Sequence, residues 1–307
     1  MDTLYDVAQI SCQAFNKWLR TIQSSPRLTD AQIVEMARKV RKEHLPGSSA
    51  RVVYSFLRQN LTEESSKLKR CGKHTFERIC LANGMRIEFR RFVPKTTERG
   101  DFVYKNLVSG TILNDINQVW VSDISYIFGD NGKLVGYSTT IIDLYSKRLL
   151  GLEFSETMRA SHTVQQAFNK ASKSREISTY KDLIFHSDGG KQYIEGNFIK
   201  TLRDHGIQSS MAENCFENAS AEAFNDTLKN HMLIEFTINS IYQLKQLESK
   251  LTHCYNNNKP HTSLAGRTPL QFEIEIKDIP LHRRPQLKVA DQLQHKSKST
   301  EQTEKKS

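Results

Sequence analysis

The chain has 307 residues, of which 44 are Lys or Arg and 34 Asp or Glu, for a formal charge of +10. That length holds two domains, or one of ordinary size with an appendage and a tail, and no apolar run approaches the roughly 20 residues of a membrane span. Five cysteines without a C-x-x-C pair suit thiols in a reducing compartment rather than a disulfide framework, and the start Met1-Asp2-Thr3-Leu4-Tyr5 lacks a basic region followed by an apolar core, so the expectation is a cytoplasmic, nucleoid-associated protein with no membrane contact.

The excess charge lies in the first third, where residues 1–100 hold 19 Lys+Arg against 10 Asp+Glu, while residues 101–307 hold 25 against 24. Such a surface suits phosphate neutralisation on nucleic acid, and it also suits a solvated lysine-rich face. Residues 1–25 read as an N-terminal helix and 26–92 as a helical, helix-turn-helix-like DNA-binding module. In the module, Thr29-Asp30-Ala31-Gln32 has capping-box spacing and is followed by Ile33, Met36, Ala37 and Val40 at helical period. Ser49 caps a second helix with Val53, Phe56 and Leu57 on one side, and a third runs from Thr75 to Ala82, closed by Gly84. Residues 93–116 lose periodicity and read as a basic linker.

From Gln118 the period changes to that of strands, over 118–128, 134–144 and 149–154, with polar or glycine-bearing turns at 129–132 and 145–148. A helix near 160–173, an apolar strand at 182–187 and helices near 195–205, 217–233 and 240–256 follow. This order implies a mixed α/β sheet covered by helices, with a core over 117–235 and a C-terminal helix and loop over 236–278. Residues 279–307 carry too few apolar side chains to build a core and read as a disordered tail.

Two carboxylates interrupt apolar strands: Asp123 within Val119-Trp120-Val121-Ser122-Asp123-Ile124-Ser125, and Asp188 closing Leu183-Ile184-Phe185-His186-Ser187 ahead of Gly189-Gly190. Alternation places Val119, Val121 and Asp123 on one face, and an ionised carboxylate left unpaired there costs several kcal/mol, which points to a divalent metal between the two. Glu222 lies on a helix among small residues, with Lys229 seven positions on and about 20° round the same face. Glu222 is the favoured third ligand and Asp226, about 40° round, its rival; Glu217 falls off the face. His186 is either a phosphate-orienting or a structural side chain, and Asp143 reads as a local cap before Ser146-Lys147-Arg148. Cys71, His74, Cys80 and His44 stand at no zinc-finger spacing, and no G-x-S-x-G or Walker loop occurs.

The segments Trp120 to Tyr126, His186 to Tyr193, and Ser210-Met211 through Asn218 to Glu222 resemble the Asp, Asp, Glu signature of bacterial insertion-sequence transposases, nearest to the second-frame (OrfB) type. Asp143 to Arg148, Tyr255-Asn256-Asn257-Asn258-Lys259-Pro260-His261 and Thr268 to Phe272 extend the likeness in family order over roughly residues 25 to 275. One departure is a spacing between Asp188 and Glu222 about two residues shorter than the family's usual one.

The resemblance implies a ribonuclease H-like mixed five-stranded sheet flanked by helices, shared with retroviral integrases, with Asp123, Asp188 and Glu222 as catalytic metal ligands for two Mg²⁺ ions that Mn²⁺ can replace. The implied function is metal-dependent DNA strand cleavage and strand transfer at element ends, without a covalent enzyme intermediate. Lys229, Lys191, Arg51, Arg90 and Arg91 are the expected DNA contacts. The implied partners are terminal inverted repeats, target DNA, further copies in a synaptic complex, and the first-frame (OrfA) protein or a frameshift fusion with it. Two other readings stand beside this one: a DNA-binding or assembly subunit inert without the first-frame part, and a nuclease of the same fold that lacks strand transfer.

Overall fold

The computed structural model describes residues 11–23, 28–60, 67–86, 104–175, 180–212 and 219–290. The chain divides into two units, residues 1–41 with 49–86, and residues 42–48 with 87–307.

The first unit is helical. After α1 (Cys12–Gln23), α2 (Asp30–Glu43) starts at the expected box, where Thr29 N–H donates to Gln32 Oε1 and Gln32 N–H to Thr29 Oγ1. Ser49 accepts from Val52 N–H to open α3 (Ala50–Gln59), and α4 (Lys73–Ala82) ends before Gly84 in the left-handed region, the conformation that costs glycine least. Ile33, Ala37, Val53, Leu57, Phe76 and Ile79, the periodic positions of the three helices, are buried.

The second unit is built on a five-stranded sheet. After the short β1 (Ile112–Leu113), β2 (Val119–Phe128), β3 (Leu134–Asp143) and β4 (Leu149–Ser155) form the expected antiparallel meander. α5 (Val164–Arg175) then leads to β5 (Ile184–Ser187), which runs parallel to β2. Beyond α6 (Lys191–Ile194) and α7 (Gly196–Asp204), β6 (Gln208–Met211) adds parallel to β5, giving the order β4-β3-β2-β5-β6. β6 is a strand that alternation does not announce, because Gln-Ser-Ser-Met is short and polar and owes its pairing to β5 alone.

Both sheet faces are buried, which is why β2 carries apolar residues on each side. Trp120 packs with Phe168 and Ala171 of α5, Phe185, and Phe198 of α7. Val119, Val121 and Ile127 pack on the other face with α8 (Ala219–Thr227), α9 (Ile241–His253) and α10 (Pro269–Lys277). Gly151 is required at the α5 crossing, since a Cβ there would stand 2.2 Å from the Ala167 carbonyl oxygen.

Three sequence expectations need correction. The helix near 217–233 is three pieces, α8 followed by a π turn over Leu228–Met232 and a 3-10 turn over Leu233–Glu235. The tail does not begin at 279: β7 (Leu287–Lys288) pairs antiparallel with β1, Tyr145 O–H donates to the Pro285 carbonyl at 2.7 Å, and Arg284 pairs with Asp115. Polar and backbone bonds anchor this segment, so apolar content gave no warning of it. Likewise the second half of the linker, from Tyr104, is held to the sheet unit by Leu107 N–H donating to Ser210 Oγ at 2.9 Å.

Candidate active site

The parallel register of β2 and β5 pairs Val121 with His186 and Ser122 with Ser187, so the next step brings Asp123, midway along β2, beside Asp188, just past the end of β5. β5 stops here and its loop diverges while β2 runs on to Phe128, and the ends of parallel strands are where α/β sheets present their sites. Burial drives the Asp123 carboxyl upward and the charge of Asp188 drives it further, to about 7. Asp188 is raised too, by burial, against a stabilising hydrogen bond from Gly190 N–H at 3.3 Å.

α8 lies across this pair and offers it a stripe of residues at helical spacing. Asn225, itself buried, donates through Nδ2 to Asp123 Oδ2 at 2.7 Å. One turn on, Lys229 Nζ donates to Ser125 Oγ at 2.8 Å, two residues along β2 from Asp123 and within its electrostatic reach. Burial lowers the Lys229 ammonium from its ordinary value while Asp123 and Asp226 oppose that fall. Glu222 precedes Asn225 by three positions on the same stripe and its charge is felt by Asp123. Its rival Asp226 is turned elsewhere, accepting from Asn230 Nδ2 at 2.6 Å with His231 Nε2 at 3.8 Å. Tyr193 completes the surroundings, its hydroxyl 2.9 Å from Ser122 Oγ and its pKa raised by burial and then by Asp188 and Asp123.

Asp123 and Asp188 are therefore neighbours, with Glu222 farther out. Among the described residues no three His, Cys, Asp or Glu side chains stand close enough together to hold a metal ion. The pair nonetheless has the character of a hard-cation site, with two carboxylates partly withdrawn from water and the first raised by the second.

Two profiles of the integrase core domain match the chain, over residues 114–214 and 198–269. Putative transposase InsK of insertion sequence IS150 from Escherichia coli K12 is 29% identical over 161 residues, 51% of this chain and 54% of InsK. The transposase of IS904 from Lactococcus lactis is 29% identical over 214 residues, 67% of this chain and 79% of its own length. The chain carries an integrase core over residues 114–269 and is similar to insertion-sequence transposases. The resemblance to the OrfB type read from the sequence is thus met, with the match spanning about half the length of InsK. The HTLV-2 integrase catalytic core domain in complex with magnesium is similar at 15% identity over 55% of this chain and 99% of that one, with a TM-score of 0.40.

The other residues expected to act in this transposase homologue are dispersed. Lys191 is exposed at the start of α6, immediately after Gly190. Arg51 lies in the helical unit, 3.3 Å from Glu77, and Arg90 and Arg91 fall outside the described residues. His186 is fully buried between β5 and β6, its Nδ1 2.9 Å from Ser210 Oγ, which suits a structural role. Asp143 accepts from the backbone N–H groups of Asn117, Tyr145 and Ser146 and pairs with Arg175 at 3.0 Å, the local cap its position implies. Asn225 went unnoticed in the sequence, although its place three residues after Glu222 is a spacing that could have revealed it.

Proposed function

We propose that this chain cleaves and joins DNA strands at the ends of a mobile element, with Asp123, Asp188 and Glu222 holding divalent metal. The observation that carries the reading is the pair of carboxylates on adjacent strands, Asp123 within β2 and Asp188 just past β5, the first raised to about 7 by burial and by the second, in a domain matched by the integrase core profiles. Two ionised carboxylates at that spacing require a positive charge, and Lys229 offers only one, tied to Ser125. Oxygen donors alone favour Mg²⁺, with Mn²⁺ able to replace it. A divalent ion bound there supplies Lewis acidity to a scissile phosphate and lowers the pKa of an attacking hydroxyl.

The chain's own residues do the rest. Asn225 fixes the Asp123 carboxylate by donating to Oδ2, and Glu222, on the same stripe of α8, would be the third residue to hold the ion. Lys229 adds a cation beside Ser125 that suits a phosphate oxygen, and Lys191 offers another at the start of α6. No serine or tyrosine nucleophile is required, because water and then a DNA 3′-hydroxyl serve in turn. Arg51, Arg90 and Arg91 extend the DNA-binding surface, the helical unit grips the element's terminal repeats, and further copies together with a first-frame protein assemble the ends.

Labelled duplex with a free 3′-hydroxyl, a target plasmid and Mg²⁺ or Mn²⁺ test the proposal. Joined products support it, cleavage without joining reduces the chain to a nuclease, and neither product with either metal overturns it.

A further inference from the structure

Three basic side chains meet outside the carboxylate site. Lys147 stands in the turn between β3 and β4 with its backbone in the left-handed region at φ 60°, a conformation that costs a non-glycine residue roughly 1 kcal/mol or more. Its Nζ donates to Ser220 Oγ at 3.2 Å, in the first turn of α8 and two residues before Glu222. Lys259 and His261 follow the π turn Cys254–Asn258, and His261 lies within electrostatic reach of both lysines.

The cluster is held rigidly. The His261 ring packs edge-on against Tyr255 at 4.8 Å, and Tyr255 does the same against Phe224 of α8 at 4.8 Å. His261 N–H donates to the Arg267 carbonyl and Gly266 N–H to the His261 carbonyl, closing the loop behind it. Burial lowers Lys147 to about 8 and lowers Lys259, while burial and the two lysines drive His261 down to about 4.

A fold gains nothing in stability from withdrawing an ammonium group from water without a partner. Among the described residues no carboxylate forms an ion pair with Lys147 or Lys259; the charge of Asp143 opposes the fall of Lys147, but that carboxylate is committed to Arg175 and three backbone N–H groups. His261 Nε2 is buried with no hydrogen-bond partner among the described residues. The first turn of α8 adds its own partial positive charge. Backbone strain at Lys147, two desolvated ammonium groups on either side of a neutral imidazole and that ring's orphaned nitrogen mark a site organised for an anion supplied from outside the chain.

We propose that Lys147, Lys259 and His261 form a subsite for a phosphodiester group of bound DNA beside the first turn of α8. This rests on the DNA-processing reading above and adds to it a contact separate from the carboxylates. Seating a phosphate there orients α8, and with it Glu222, relative to the strand.

The test uses the full chain, the Lys147→Gln/Lys259→Gln double variant and, as a surface-charge control, Lys200→Gln on α7. Binding of a fluorescent 30-base-pair duplex is followed across a salt series, together with thermal melting. The double variant is expected to lose about tenfold in affinity and about one unit in the slope of log K against log salt, with a melting temperature equal to or above that of the parent, while Lys200→Gln changes neither affinity nor slope. Unchanged affinity and slope in the double variant overturn the proposal, as does a fall in melting temperature without a change in slope. If the parent binds no duplex, the DNA reading fails by itself, and ³¹P line broadening of inorganic phosphate decides the subsite: broadening lost in the double variant supports an anion site, and equal broadening overturns it.

Discussion

Replacing Asp123 by Asn is expected to stabilise the metal-free protein, and to do so only where the carboxylate would be ionised. The folded-state pKa is about 7 against an ordinary 3.8, with burial the larger cause and Asp188 the second. The native state therefore binds more protons than the unfolded chain between about pH 4 and 7, so stability falls as pH rises through that window and the full penalty applies above it. About three units at about 1.4 kcal/mol each set a ceiling near 4 kcal/mol, and because Asp123 keeps some contact with solvent, about 2 kcal/mol is a fairer magnitude. For a unit of this size that is a rise of roughly 4 to 8 °C in melting temperature. Circular dichroism melts in EDTA at pH 5 and pH 8 measure it: the gain should be larger at pH 8, and Mg²⁺ should narrow it by raising the parent alone. A variant less stable than the parent at pH 8, or a gain independent of pH, would refute the reasoning that two unneutralised carboxylates oppose each other here.

Asn225→Leu removes the donor to Asp123 Oδ2, so the acidic limb of the pH-rate profile in Mn²⁺ should move upward and metal affinity fall 10- to 100-fold, read by activity against metal concentration. Arg175→Ala leaves Asp143 and Glu273 buried without their shared cation, and urea denaturation should register a loss of about 3–5 kcal/mol. Glu273 reports the same network from the other side: burial alone would raise it, yet Arg175, Ser146 and Arg148 hold it below the ordinary range. Ending the chain after Asp278 removes the Arg284–Asp115 pair, the Tyr145–Pro285 bond and β7, and should lower the melting temperature, whereas ending it after Ala290 should not.

The sheet was legible where side-chain period and burial agree. Apolar residues alternating around Asp123 and the turns at 129–132 and 145–148 carry β2, β3 and β4 in the sequence itself, and the capping box at Thr29 and the cap at Ser49 do the same for α2 and α3. β6 and the β1–β7 ribbon were not, because two to four residues paired with a distant strand leave no local pattern. The site was legible to the extent that a carboxylate in an apolar strand is anomalous, which singles out Asp123 and Asp188 but not Asn225, whose donor role exists only once α8 is laid over β2. Lys147 was hidden for another reason: Ser-Lys-Arg reads as a solvated turn, and only the fold brings Lys259 and His261 to it.

Cleavage of labelled element-end DNA in Mn²⁺ by the parent, Asp123→Asn, Asp188→Asn and Glu222→Gln is the most direct trial of the carboxylate site. Cleavage by the parent and silence in all three variants, each folded by circular dichroism, is the expected result. Cleavage that survives Asp188→Asn would contradict the assignment outright, since Asp188 is the carboxylate that the β2–β5 register sets beside Asp123.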